Sequence, residues 1–152
     1  SVYGSSSGIC SSDTGSVTRV NDDIRARPLY ANFVGSDIYI SHHTNAGGGG
    51  AARGTETYRD SAMQHPAHVA NSLALANAVQ NSMIANIRDM WDPCWVSRGV
   101  KDSAGGFGEI RIPNRPAILI ELAFHDGCNP SAVGCGAKDT DALTNNYFRS
   151  VS

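Results

Sequence analysis

The sequence predicts an α/β fold: a mostly parallel sheet flanked by helices on both faces. Two apolar runs, Ile38–Ser41 and Pro116–Phe124, read as strands buried among other elements. A long segment between them, from His65 to Pro93, repeats apolar residues every three or four positions and reads as a helix. Strands that alternate with helices imply crossover connections and parallel pairing.

A chain of 152 residues with 41% hydrophobic content is read as one domain that can bury a core. The net charge of −2 gives no electrostatic footprint for nucleic acid. No apolar run approaches the roughly 20 residues a membrane-spanning helix needs. No signal peptide is visible, so an exported protein would be represented by a mature form or a fragment.

Residues 1–16 are rich in Ser and Gly and read as an extended or loop segment. Val17–Val20 reads as a short strand end. Asn21, Asp22 and Asp23 supply a cap and acidic first turn for a helix over Ile24–Val34, with Ile24, Leu29 (or Pro28) and Phe33 inward. Pro28 should start or kink it, and Gly35 should end it. A strand over Asp37–Ser41 follows, then His42-His43-Thr44-Asn45-Ala46 and the glycines Gly47–Gly50. Gly47–Thr57 reads as a loop, because consecutive glycines hold regular structure poorly.

His65 and Pro66 open the long helix, whose apolar face is read as Val69, Leu73, Ala76, Val79, Met83, Ile87 and Met90. Arg98-Gly99-Val100-Lys101 leads to a turn at Gly105-Gly106 and an expected short strand, Phe107–Ile112. Pro113 and Pro116 bracket the entry to the strand that carries Glu121. Asp139 or Thr140 should cap a last helix that runs to about Val151.

Two strands carry chemistry. One ends in imidazoles, and the other holds a carboxylate in an apolar run, where an ionised group costs several kcal/mol unless it is paired or bound to metal. Sites of this fold class form at the carboxyl ends of strands, and His43 and Glu121 lie at or near such ends. Together they suggest a metal-dependent hydrolase. Neighbours on a strand point to opposite faces, so His42 and His43 should not share one metal. By residue type alone, Glu121 could instead be a buried ion-pair partner of Arg98 or Lys101.

Ser41-His42-His43-Thr44-Asn45-Ala46, Gly54-Thr55-Glu56-Thr57-Tyr58, Arg98–Lys101 and Pro116–Phe124 occur in an order that resembles the zinc-dependent N-acetylmuramoyl-L-alanine amidases, of the type 3 catalytic domain, which trim bacterial cell walls. Thr18-Arg19, Arg27, Ala31 and Asn32 fit the same pattern, so the resemblance runs from about Val17 to the end. It implies a single amidase-like domain over 1–152, incomplete at both ends. It implies hydrolysis of the amide between N-acetylmuramic acid and L-alanine by a zinc-activated water, with His43 a Zn2+ ligand and Glu121 the general base. It places Asn45, Glu56 and Arg98 on the substrate side. By residue type, Asn45 is expected to bond the loop, and Glu56 either orients substrate or caps a turn.

The chain departs from the pattern in two places. Amidases of this kind hold zinc with two histidines and a glutamate. The first histidine, in a Gly-His-Gly motif, and the ligand glutamate on the next helix are not visible here. Three explanations stand: a piece of a longer enzyme, a fold used as a non-catalytic peptidoglycan-binding or assembly module, or substitute ligands among His42, His125 and Asp126. The four cysteines suggest a Cys128–Cys135 bridge across a short loop, and Cys10 and Cys94 could form a second. With wall chemistry this points to an oxidising place, secreted, periplasmic or in the cell envelope, with peptidoglycan as the partner.

Overall fold

The computed structural model describes residues 16–47 and 51–125, with side chains from Asp22 onward. Helix α1 spans Ser16–Val34 and contains Pro28 in its interior. The expected strand end at Val17–Val20 is therefore helical. An interior proline removes a hydrogen bond and crowds the preceding turn at a cost of about 3 kcal/mol. Here the Pro28 ring is fully buried, and that contact offsets part of the cost. Phe33, expected inside, is 66% exposed. Gly35 ends the helix with φ 68, the left-handed conformation glycine adopts without penalty.

Four strands form one sheet in the order β1-β4-β2-β3. Their ranges are β1 Tyr39–Asn45, β2 Thr55–Arg59, β3 Ser97–Asp102 and β4 Ala117–Phe124. β1 pairs with β4 and β2 with β3 in parallel, but β2 and β4 pair antiparallel. The sheet is thus mixed rather than uniformly parallel. β1 and β4 point one way, and β2 and β3 the other.

Strand β2 takes up the last part of the expected loop. It begins against Gly54, whose φ is 95 and where a Cβ would stand 2.2 Å from the Val96 carbonyl oxygen. That close approach lets the Thr55 amide donate to Val96 O at 3.0 Å and start the ladder. The expected strand at Phe107–Ile112 is instead a single helical turn, α3, Gly108–Arg111, closed by the Ile110 and Arg111 amides on Phe107 O. The turn at Gly105, with φ 88, re-aims the chain, so Glu109 and Ile110 face inward together. A strand would have put them on opposite faces.

Helix α2, Val69–Met90, follows a 3-10 turn at Pro66–His68 and covers β2, β3 and β4. Its core contains Ala76, Ile84, Ile87, Trp95, Ile118, Ile120 and Leu122. Helix α3 lies on the opposite face, where Ile110 packs with Met63, Ala117 and Leu119, and α1 packs against α3. Helices on both faces agree with the expectation. The buried stripe of α2 differs from the one hydropathy marks. Ser72 and Gln80 are buried, whereas Leu73 and Met90 are 40% and 46% exposed.

The reason is hydrogen bonding to the sheet. Gln80 Nε2 donates to Thr55 O and Ser97 Oγ, and its Oε1 accepts from Thr57 Oγ1 at 2.7 Å. Ser72 Oγ accepts from the Ala117 amide at 3.0 Å. A paired polar side chain can occupy a core position that pattern alone would give to an apolar one. Gln80→Leu, though more hydrophobic, strands the Thr57 hydroxyl and the Thr55 carbonyl. We expect it to lower unfolding stability by about 1–3 kcal/mol in a denaturant titration.

Candidate active site

The register of the sheet assembles the site. His43 on β1 lies beside Glu121 on β4, and Glu121 lies beside Glu56 on β2. Partners in register present their side chains on one face, so these three form a row across the sheet. The face is the one on which α3 lies. The row lies towards the carboxyl ends of β1 and β4, and at the amino ends of β2 and β3 because the sheet is mixed. His42 alternates to the other side and is exposed.

A cavity of about 210 Å³ opens beside the row, lined by Ile24, Arg27, His43, Phe107, Glu109, Leu119 and Glu121. The Glu121 Oε2 atom is buried and has no hydrogen-bond partner among the described residues. Burial raises the Glu121 pKa above its ordinary value, as do the nearby Glu56 and Glu109 charges; His43 and His125 work against the rise. Arg98 and Lys101, candidate partners of Glu121 from sequence, are bonded to Glu56 instead.

Glu56 is 2% exposed and saturated. Its Oε1 accepts from Asn45 Nδ2 at 2.9 Å and Tyr58 Oη at 3.0 Å. Its Oε2 accepts from Arg98 Nε at 2.6 Å and from Lys101 Nζ. Arg98 also lies over the Phe124 ring, 5.0 Å from the centroid. Asn45 in turn accepts the Ala46 amide at 2.8 Å, as expected of a loop-bonding residue. Three side chains expected on the substrate side, Asn45, Glu56 and Arg98, are thus bonded into one network that ties the end of β1 to β2 and β3.

Glu109, which is not among the site residues expected from the sequence, stands against His43. It is 4% exposed. Its Oε2 lies 2.6 Å from His43 Nε2 and accepts from Ser41 Oγ at 2.5 Å, and its Oε1 pairs with Arg27 at 2.9 Å. The signal existed: Glu109 is a carboxylate between apolar neighbours, the same pattern that marks Glu121. Ser41, His43 and Glu109 are the residue types of a hydrolytic triad, but the hydroxyl and the carboxylate both meet Nε2. A triad needs them on opposite ring nitrogens.

His125, a possible substitute ligand, is exposed, bonds Thr44 Oγ1 through Nδ1 at 3.1 Å and does not line the cavity. Asp126 lies outside the described residues, as do Cys10, Cys128 and Cys135, and so at least one end of each expected bridge, and the expected last helix. His65 and His68 stand at the start of α2. The donors in the cavity fit zinc in kind: an imidazole nitrogen, and carboxylate oxygens that include Glu121 Oε2, buried without a hydrogen-bond partner among the described residues. Among the described residues no group of three or more His, Cys, Asp or Glu stands together as a metal cluster.

The fold is thus an α/β one with a mixed sheet, and an imidazole and a carboxylate stand in register beside a cavity at the ends of β1 and β4. Residues 13–133 match the family model for N-acetylmuramoyl-L-alanine amidase, and the chain belongs to that family. A comparison with curated protein sequences gives no match. Among solved structures, the chain is similar to an N-acetylmuramoyl-L-alanine amidase from Clostridium difficile 630, with 26% identity and a TM-score of 0.63 over 83% of this chain and 56% of that one. It is also similar to the catalytic domain of CwlV, the amidase from Bacillus (Paenibacillus) polymyxa var. colistinus, with 25% identity, a TM-score of 0.59 and the same coverage. The amidase Ami1 from Mycobacterium abscessus, at 18% identity and a TM-score of 0.63, covering 84% of this chain and 54% of that one, shares the fold. The chain spans about 56% of the length of the first two of these proteins.

Burial alone would raise the pKa of Glu56, but hydrogen bonds from Lys101, Arg98 and Tyr58 outweigh it and hold it below the ordinary value of 4.5. A depressed carboxylate contributes stability that is present above its unfolded pKa and lost as pH falls through the folded one. We expect melting temperature to drop as pH falls below about 4.5, and the drop to be shallower in Glu56→Gln, which starts from a lower plateau at neutral pH. A parallel decline in both proteins would show that other carboxylates govern the acid limb.

Proposed function

We propose that this chain hydrolyses the amide joining the lactyl group of N-acetylmuramic acid to L-alanine in peptidoglycan, as a zinc-dependent amidase. The observation that carries this reading is the placing of His43 and Glu121 in register, facing one cavity, in a member of the amidase family. His43, which lines the cavity, would hold the metal through its imidazole. Bound zinc lowers the pKa of its water towards about 7 and polarises the scissile carbonyl.

The rest is the work of this chain. Glu121 Oε2, buried and free of hydrogen bonds, is placed to accept the proton of the attacking water. The same carboxyl then returns that proton to the nitrogen of the departing L-alanine. Leu119 and Phe107 make the adjoining wall apolar and keep bulk water from competing. The Glu56 network holds Asn45, two positions from His43, and so fixes the end of β1. Tyr58, in that network, has its hydroxyl pushed up to about 12, mainly by burial and then by its bond to Glu56, and stays a hydrogen-bond donor at working pH.

We propose an extracytoplasmic place of action, in the cell envelope, with disulfide pairing among the cysteines. No helix of the described residues is long and apolar enough to cross a membrane. A second reading has one observation in its favour. The lack of a three-donor cluster among the described residues suits a module that binds peptidoglycan without cutting it.

Release of L-alanine-terminated peptides from purified muramoyl peptide, with zinc supplied, separates the two. Under the leading reading the wild-type chain turns substrate over, and Glu121→Gln loses about 10²–10⁴-fold in rate while keeping its zinc. His43→Ala loses metal and turnover together. Binding to insoluble peptidoglycan with no turnover by the wild-type chain would favour the module.

A further inference from the structure

We propose that Glu109 is a metal ligand that acts with His43, an inference that rests on the zinc reading above. The two side chains come from β1 and α3, 66 positions apart in sequence, and converge on one point, with Nε2 and Oε2 separated by 2.6 Å. At that distance the two atoms are hydrogen-bonded, so a nitrogen and an oxygen of the kinds zinc takes already point at one another. Two ligands of one tetrahedral zinc stand about 3.4 Å apart, given metal–ligand distances near 2.0–2.1 Å. Seating a metal between them therefore asks for a shift of under about 1 Å between side chains already aimed at each other.

Three features suit Glu109 to this role. It is 4% exposed, so its charge is poorly solvated and needs a cation. Arg27 pairs with its Oε1 at 2.9 Å, which leaves Oε2 facing the imidazole. Ser41 Oγ donates to the same Oε2 and fixes its direction, as outer partners of metal ligands commonly do. Glu121 faces the same cavity but is not bonded to His43, which leaves it for proton transfer rather than for holding the metal.

The test is zinc affinity of the full chain, measured by competition with a chromogenic chelator, for the wild type, His43→Ala and Glu109→Gln. The expected result is tight binding by the wild type and a loss of more than about 100-fold in both variants, exceeding the 10–100-fold that loss of an outer-sphere partner brings. The visible spectrum of the cobalt-substituted chain should also change in Glu109→Gln, because the coordination sphere has lost an oxygen.

Unchanged or tighter zinc binding in Glu109→Gln would overturn the inference, because the carboxylate would then only compete with the metal for His43. A modest loss with an unaltered cobalt spectrum would overturn it too and make Glu109 an outer partner. If His43→Ala alone loses zinc, the zinc reading stands and this inference falls. If the wild type binds no zinc, both fall. Should Glu109→Gln not fold, Glu109→Asp carries the test, since it keeps the charge for Arg27 and withdraws the donor by one methylene. There we expect a more than tenfold loss with an unchanged melting temperature of the metal-free chain, and equal affinity would overturn the proposal.

Discussion

Carboxylates removed from water need counter-charge, and in this protein that need joins the elements around one sheet face. Glu56 is almost wholly buried, and its two oxygens collect donors from β1, β2 and β3: Asn45, Tyr58, Arg98 and Lys101. Breaking such a pair from one side leaves an uncompensated buried charge, which costs more than the pair is worth. The network therefore acts as a clamp. It closes the turn after β1 onto the strands across the sheet and fixes where the β1 backbone ends. The position of His43 follows from that end.

The mixed topology has a consequence of its own. In a wholly parallel sheet, ligands gather beyond the carboxyl ends of all the strands. Here β4 is the pivot, parallel to β1 on one side and antiparallel to β2 on the other. The amino end of β2 is thereby brought beside the carboxyl ends of β1 and β4, and Glu56 comes level with Glu121. Gly54 makes this possible, because any side chain there would strike the Val96 backbone and push β2 away from β3.

The strands that carry His43 and Glu121, and the long helix that backs them, were legible in the sequence because apolar periodicity reports burial directly. The His43–Glu121 neighbourhood was legible as well, since two strands of one parallel pair each displayed a polar group at the same depth. Three things were hidden. The antiparallel placing of β2 depends on long-range register, which no local pattern near Gly47–Thr57 encodes. The buried stripe of α2 contains Ser72 and Gln80, polar residues whose partners lie on other elements. Glu109 was read as part of a strand because Phe107, Ile110 and Ile112 are β-prone. Gly105, with its positive φ, and the closure of one helical turn decided otherwise. Around Pro28, tertiary burial overrode a local helix-breaking preference.

Charge bookkeeping across the face locates what is unfinished. Glu56 meets two cations, Arg98 and Lys101. Glu109 meets one, Arg27, and stands against the His43 imidazole; Arg27 also pairs with Asp23 at 2.9 Å and is half exposed, so its charge is divided. Glu121 has no Lys or Arg ion pair among the described residues, and its raised pKa reflects burial first and the neighbouring carboxylates after it. The deficit thus falls on the cavity wall between His43, Glu109 and Glu121 and not on the clamp. A divalent cation at that wall would satisfy Glu109 and draw down the pKa of Glu121 at once. One binding event would complete the charge balance that holds the face together and ionise the group that must accept a proton.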